Sequence, residues 1–244
     1  MNNILIIAKR ELKGYFSSPV AFVFIVIFLL LAGFFTFMVG GFFERGEANL
    51  EAFFAWHPWL YLFLVPAVGM RMWSEERRQG TIELLLTMPV TPWQAIVGKF
   101  LASWAVLAMA LVLTFPVVWT VNHLGSPDNG VILAGYIGSL LLAGAYLSIS
   151  AMTSAITRNQ VVSFIVAVVI SLFLILAGWP PVTNLLVQWA RPWLVDGIAA
   201  FSVMTHFESI QKGVLDSRDL LFFVSVILFS LFTTSVIIRA HRAG

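Results

Sequence analysis

The chain has 244 residues, 60% of them hydrophobic and 11% charged, and a mean hydropathy of +0.94. A soluble domain carries about 25% charged residues to hold water at its surface. So little charge cannot cover a globule, so most of this surface must face lipid. The 14 basic and 12 acidic residues leave a net +2, too small for a nucleic-acid footprint, and the lack of cysteine excludes disulfides, thiolate metal sites and cysteine nucleophiles.

Residues 1–16 read as an amphipathic helix, with Ile4, Leu5, Ala8, Leu12, Tyr15 and Phe16 at helical spacing and Lys9, Arg10 and Lys13 opposite. This stretch lacks the apolar core of a cleavable signal. On the membrane surface its cations would lie near anionic headgroups, and it serves either as an anchor or as a partner contact. A bilayer core about 30 Å thick needs about 20 helical residues. Stretches 20–40, 53–70, 100–121, 131–156, 161–179 and 220–238 meet that length without one acidic or basic residue inside. Their runs do not alternate as barrel strands do, so the chain is predicted to be an all-α membrane protein with six transmembrane helices. The second span holds His57, Pro58 and Pro66, and Pro66 should kink it.

Ten of the 14 basic residues fall on the side of the termini (Lys9, Arg10, Lys13, Arg71, Arg77, Arg78, Lys99, Arg158, Arg239 and Arg242), leaving Arg45, Arg191, Lys212 and Arg218 on the other. The positive-inside rule then places both termini in the cytoplasm.

Two segments exceed a connector's length. Within 71–99, Ser74 can cap a short helix bearing Glu75 and Glu76 in its first turn. Gly80 then interrupts, and Thr81 can cap a second short helix carrying Glu83, Leu84, Leu85 and Leu86, ended by Pro89 and Pro92. Those leucines must pack on the protein's own helix bases or in a partner's groove. On the far side, 180–219 carries helical apolar spacing over 184–194 and 196–213, broken by Pro192 and Gly197, with Trp189 and Trp193 at interfacial depth. Such short outer helices form either a mouth or an inert cap. In the latter stretch Phe207 and Ile210 share a face, Glu208 and Lys212 can pair, and Gly213 can end the helix in a left-handed conformation. In the fourth span Gly135, Ser139 and Ala143 repeat every four residues and continue through Gly144 and Ser148, a spacing that lets helices approach closely.

Much chemistry is missing. There is no GxxxxGK[ST] to bind nucleotide and no HExxH; His57, His123, His206 and His241 are scattered, and His206 with Glu208 is spaced for structure rather than for a metal. Glu75–Glu76 would need Arg at position 80 to match the EExxxR of intramembrane endopeptidases, and Gly80 stands there. No span holds the ionisable residue that usually couples transport to protons or sodium. The chain therefore reads as a non-enzyme, a conduit powered from elsewhere.

Two motifs carry a resemblance. Glu75–Glu76–Arg77–Arg78–Gln79–Gly80–Thr81–Ile82–Glu83–Leu84–Leu85, followed by Pro89, Val90 and Gly98–Lys99, resembles the first cytoplasmic loop of ABC-2 exporter permeases. Thr205–His206–Phe207–Glu208–Ser209–Ile210, with Lys212–Gly213–Val214, Asp216 and Arg218–Asp219, is similar to the segment before the sixth span in the GldF-like, NosY-related subgroup. This resemblance implies one type V exporter transmembrane domain in a bacterial inner membrane, paired with a second copy as a homodimer. A separate ABC ATPase would bind the ATP and Mg, so the chain itself needs no cofactor. The resemblance makes 1–16 a connecting helix and Glu75, Glu76, Gly80, Thr81, Glu83, Leu84, Leu85 and Leu86 the ATPase-coupling region. It makes His206, Phe207, Glu208, Lys212 and Gly213 an outer gate or partner interface, facing a GldG-like auxiliary membrane protein with an extracytoplasmic domain. Export and outward force transmission both stay open. So does a non-transporting adaptor; an intramembrane hydrolase keeps only broken motifs.

Overall fold

The computed structural model describes residues 2–81, 90–188 and 191–240, and the candidate coupling residues Glu83, Leu84, Leu85 and Leu86, like Trp189, lie outside them. Every regular element among the described residues is helical. The chain runs through α1 (Asn2–Ser17), α2 (Pro19–Phe34), a π-helical turn (Phe35–Val39), and the short α3 (Phe42–Arg45) and α4 (Glu51–Phe54). Next come α5 (His57–Gly69), α6 (Ser74–Gln79), α7 (Pro92–Val112), α8 (Phe115–Leu124) and α9 (Asn129–Ile156). The chain continues as α10 (Gln160–Leu176), α11 (Pro180–Val187), α12 (Pro192–Ala199), α13 (Val203–Gln211) and α14 (Ser217–Ala240). Among the described residues five helical stretches are long and apolar enough to cross a membrane, and α10 with α11, bent by 65° between them, makes a sixth if read as one broken span.

Local chemistry explains many of the starts. Thr91 accepts from the Gln94 amide while Gln94 reaches back to Thr91, closing a capping box over α7 with Pro92 in its first turn. Asp128 caps α9, Asn159 caps α10 and Ser202 caps α13, each accepting from backbone N–H groups that a helix start leaves open. Pro192, expected to break a helix, instead opens α12, and Gly197 lies inside it. A proline lacks the N–H that a first turn would leave unpaired, so it starts a helix as readily as it ends one. The second span is one long stretch from Glu51 to Gln79, and α5 runs through Pro66 as a single helix.

The long α9 is the axis of the molecule; α5, α7, α10, α13 and α14 all pack on it. Its small residues make this possible. A Cβ on Gly135 would lie 2.4 Å from the Phe54 ring, and one on Gly138 2.6 Å from Ile210 Cγ2. Another on Gly144 would lie 3.1 Å from both Ile227 and Trp104. The small-residue track therefore packs helices within the chain. Val131 sits beside Gly213 and Gly144 beside Ile227, so α14 runs parallel to α9 and both finish at the end of the bundle where α1 and α6 lie. Leu30, Val112, Phe173 and Phe229 are exposed on the helices' outer faces, as a lipid-facing surface requires.

Candidate functional site

Three segments distant in sequence converge on Lys99 at the end of the bundle that carries α1. Lys99 lies in the second turn of α7, and its side chain is only 7% exposed. Its ammonium lies 2.8 Å from Glu76 Oε1 on α6, 3.5 Å from Glu11 Oε2 on α1, and 5.3 Å from the centroid of the Trp73 ring. A buried cation is tolerated only with such partners. Burial pushes the Glu11 carboxyl upward, but the Lys99 charge and the Arg10 contact more than offset it and hold the group below its usual range.

Below this ion pair α1 lies along α7. The Tyr15 and Ser103 hydroxyls share a hydrogen bond at 2.8 Å, with the Lys99 carbonyl 3.1 Å from Ser103 Oγ and the Val68 carbonyl 3.5 Å from the Tyr15 hydroxyl as further acceptors. Burial raises the Tyr15 phenol above its ordinary value. Gly98 lets the two backbones meet, since a Cβ there would lie 2.8 Å from Ile7 Cγ2 and 3.1 Å from the Ile4 carbonyl. Ile7 is buried against the bundle and Leu12, Tyr15 and Phe16 pack on the core as their spacing predicts, with Ile4 and Ala8 half-buried; of the expected apolar face Leu5 is left exposed, beside Ile6. Arg71, Glu76, Tyr15 and Ser103 help line a cavity of about 260 Å³ beside the junction.

α6 is anchored from the other side by α9. Ser74 was expected to cap this helix. Instead Trp73 is the N-cap residue, and the Ser74 hydroxyl donates to the Met70 carbonyl. The open amides of Trp73 and Ser74 both donate to Ser154 Oγ at 3.0 Å, and Ser154 donates to Met70 at 2.9 Å. A hydroxyl from a helix about 80 residues on in sequence thus does what a local cap would do. Arg77 also donates to the Ala155 carbonyl. Gly80 adopts φ +71° and ends α6, and Thr81 folds its amide back to the Glu76 carbonyl at 3.0 Å, closing α6. Glu75 makes exposed contacts alone, 3.7 Å from Arg78 and accepting from Gln79 Nε2 at 3.4 Å, among the described residues.

At the opposite end, Phe207 and Ile210 are buried and face α9 beside Gly138, not open water. Gly213 takes the left-handed conformation at φ +85°. Glu208 and Lys212 do not form the expected ion pair among the described residues; Lys212 is exposed. His206 instead pairs with Asp219 of α14 at 2.6 Å. Sequence reasoning missed this partner, and it missed Glu11, Tyr15 and Trp73 at the other end. The available signal was the same in each case: a lone charge at the lip of a long apolar run, Lys99 and Asp219, which must find compensation as it is buried. Among the described residues no group of three or more His, Asp or Glu is placed to hold a metal ion.

Residues 5–189 match the family model described as ABC-2 family transporter protein, a stretch that includes α1, α6 and Lys99. The chain belongs to the ABC-2 transporter family. It is 28% identical over 142 residues to the inner membrane transport permease YhhJ of Escherichia coli (strain K12), a match covering 57% of this chain and 36% of that protein. YhhJ of Shigella flexneri matches with the same figures. The match spans about a third of the length of these curated relatives.

Proposed function

We propose that this ABC-2 chain is the permease subunit of a bacterial inner-membrane ABC transporter of the type V class, paired with a second copy and driven by a separate ATPase that binds ATP and Mg. The observation that supports this best is the Lys99 junction. Through Glu11 and Glu76 it ties the N-terminal helix and the head of the 71–99 segment to the base of a spanning helix. A push on either segment is thereby delivered to α7 and, through Ser154 and Arg77, to the central α9. In this reading the junction end faces the cytoplasm, in keeping with its ten basic residues, and Glu83, Leu84, Leu85 and Leu86 form the ridge that enters a groove on the ATPase.

The test is co-purification of the full chain with an ABC ATPase subunit from the same cells. Leu85→Asp would place a charge in that contact, at a cost of about 2–5 kcal/mol if the site is dry. The variant should stay in the membrane and lose the ATPase. Unchanged ATPase binding and turnover would remove this role from the ridge.

The outer segment favours a second output. α13 is buried on α9 and tied to α14, so movement of the central helices reaches the outer surface. GldF-like coupling to a GldG-like auxiliary protein, by force rather than passage of a substrate, would use that surface. Crosslinking of an auxiliary protein from a photoreactive group at exposed Lys212 supports it; capture of lipid alone counts against it.

A further inference from the structure

The cavity of about 260 Å³ beside the Lys99 junction carries charge of both signs. Ligand pockets start at about 300 Å³, so this one suits a small polar group rather than a bulky substrate. Glu11, Glu75 and Glu76 bring three carboxylates to its wall, and Arg71 and Lys99 bring two cations. Lys99 is already shared between Glu11 and Glu76. Arg71, by contrast, is exposed and forms no ion pair among the described residues. Glu76 uses only Oε1 on Lys99; its Oε2 is buried without a hydrogen-bond partner among the described residues. The cavity thus holds a cation that lacks an anion and a carboxylate oxygen that lacks a donor. A purely anionic guest would face a wall with one more negative than positive charge. A guest carrying both an anion and an N–H-bearing cation satisfies both sides.

The cavity lies where α2 begins, α5 ends and α7 begins, with Ser18, Arg71 and Lys99 at one end of three stretches able to cross a membrane. Lipid headgroups lie at that depth. From Ser18 on the cavity wall, Phe22, Val26 and Leu30 follow at four-residue steps along one ridge of α2, and all three are exposed. An acyl chain rooted at the cavity has this apolar row to lie on. We propose that the cavity binds the headgroup of phosphatidylethanolamine, with its phosphate on the Arg71 guanidinium, its primary ammonium between Glu75 and Glu76, and an acyl chain along Phe22, Val26 and Leu30. A guanidinium fork matches phosphate oxygens, and the Glu76 carboxylate reaches the ammonium by turning about its soft terminal torsion. Phosphatidylcholine has the same phosphate, but its quaternary ammonium has no N–H to give Glu76. Phosphatidylglycerol has no cation to offer. The site requires only that these spans lie in a bilayer, and it stands whether or not the chain moves a substrate or binds an ATPase.

The experiment is native mass spectrometry of the full chain, delipidated in detergent and titrated with the three lipids in matched acyl chains. One phosphatidylethanolamine per chain should be retained, about tenfold more tightly than either of the others, as expected for a hydrogen bond between charged groups. Arg71→Gln should weaken phosphatidylethanolamine and phosphatidylcholine alike, because both lose the phosphate contact. Glu75→Gln should leave phosphatidylcholine unchanged and narrow the gap between the two to about threefold or less. Arg71 is exposed and Glu75 makes exposed contacts alone, so neither change threatens the fold. Soluble phosphoethanolamine in millimolar excess should fail to displace the lipid, since it has no acyl chain for the α2 ridge. In vesicles of phosphatidylethanolamine, a photoreactive group at Val26 should capture lipid. Equal retention of the three lipids, no retained lipid, or unchanged binding by Arg71→Gln overturns the proposal. Displacement by phosphoethanolamine would make the guest a soluble one, and capture of a second copy from Val26 would give the ridge to a protein; either result also overturns it.

Discussion

Replacing Lys99 with methionine keeps the length and apolar stem of the side chain and removes only the charge. The carboxylates of Glu76 and Glu11 are then left facing one another without their shared cation. Deleting one partner of a buried ion pair costs about 3–5 kcal/mol. Both carboxylates keep some contact with water, at 21% and 24% exposure, so the lower end, about 3 kcal/mol, applies. For a chain of this size 1 kcal/mol moves Tm by about 2–4 °C, which places the loss near 6–12 °C. Tryptophan fluorescence during heating, read from the nine native tryptophans, measures it without labels. Glu76→Gln added to Lys99→Met should return much of the loss, because residues sharing a contact are not additive. The pH dependence should weaken as well. In the wild type the Glu11 carboxyl is depressed, so its contribution is present above the ordinary value of 4.5 and fades as pH falls through the lower folded-state value. Without Lys99 only Arg10 still opposes the effect of burial on that carboxyl, so the loss of stability on acidification should be smaller in the variant. A drop in Tm below about 2 °C, with the acid response unchanged, would refute the claim that Lys99 organises this end of the molecule.

Ser154→Ala removes the acceptor for the Trp73 and Ser74 amides and the donor to Met70; each buried group left unsatisfied costs about 1–3 kcal/mol, and amide exchange at Trp73 and Ser74 should rise before the bundle melts. Gly98→Val drives a branched side chain into Ile7 and the Ile4 carbonyl, so α1 should lift off α7 and become open to protease while the spanning helices stay protected; overpacking of this kind costs about 1–3 kcal/mol, and an unchanged digestion pattern would count against the contact. Because the chain has no cysteine, single cysteines at Gln79 and Asn49 report topology: an impermeant thiol reagent applied to intact cells should label Asn49 and spare Gln79. Labelling in the reverse order would invert the orientation proposed above.

How much could be read before folding depended on the range of each interaction. Lipid exposure, the helical class and the place of each apolar run are properties of about 20 neighbouring residues, and composition alone decides them. The left-handed turns at Gly80 and Gly213 were legible for the same reason, since glycine adopts positive φ wherever a helix must stop. The close-packing residues of α9 could be recognised by their spacing, although not which helices they would meet. What only the tertiary structure decided was the pairing of polar groups across distance. Glu208 and Lys212 have the spacing of a helical pair, yet burial of His206 against α14 selects Asp219 instead. Ser74 has the composition of a cap, yet Ser154 reaches the open amides. Lys99 finds Glu11 because Gly98 lets α1 lie against α7, and Glu76 because α9 anchors α6 beside it. In a dry interior an unpaired charge or amide costs more than a local preference gains, so the register of packed helices chooses the partners, and that register is set by the whole bundle.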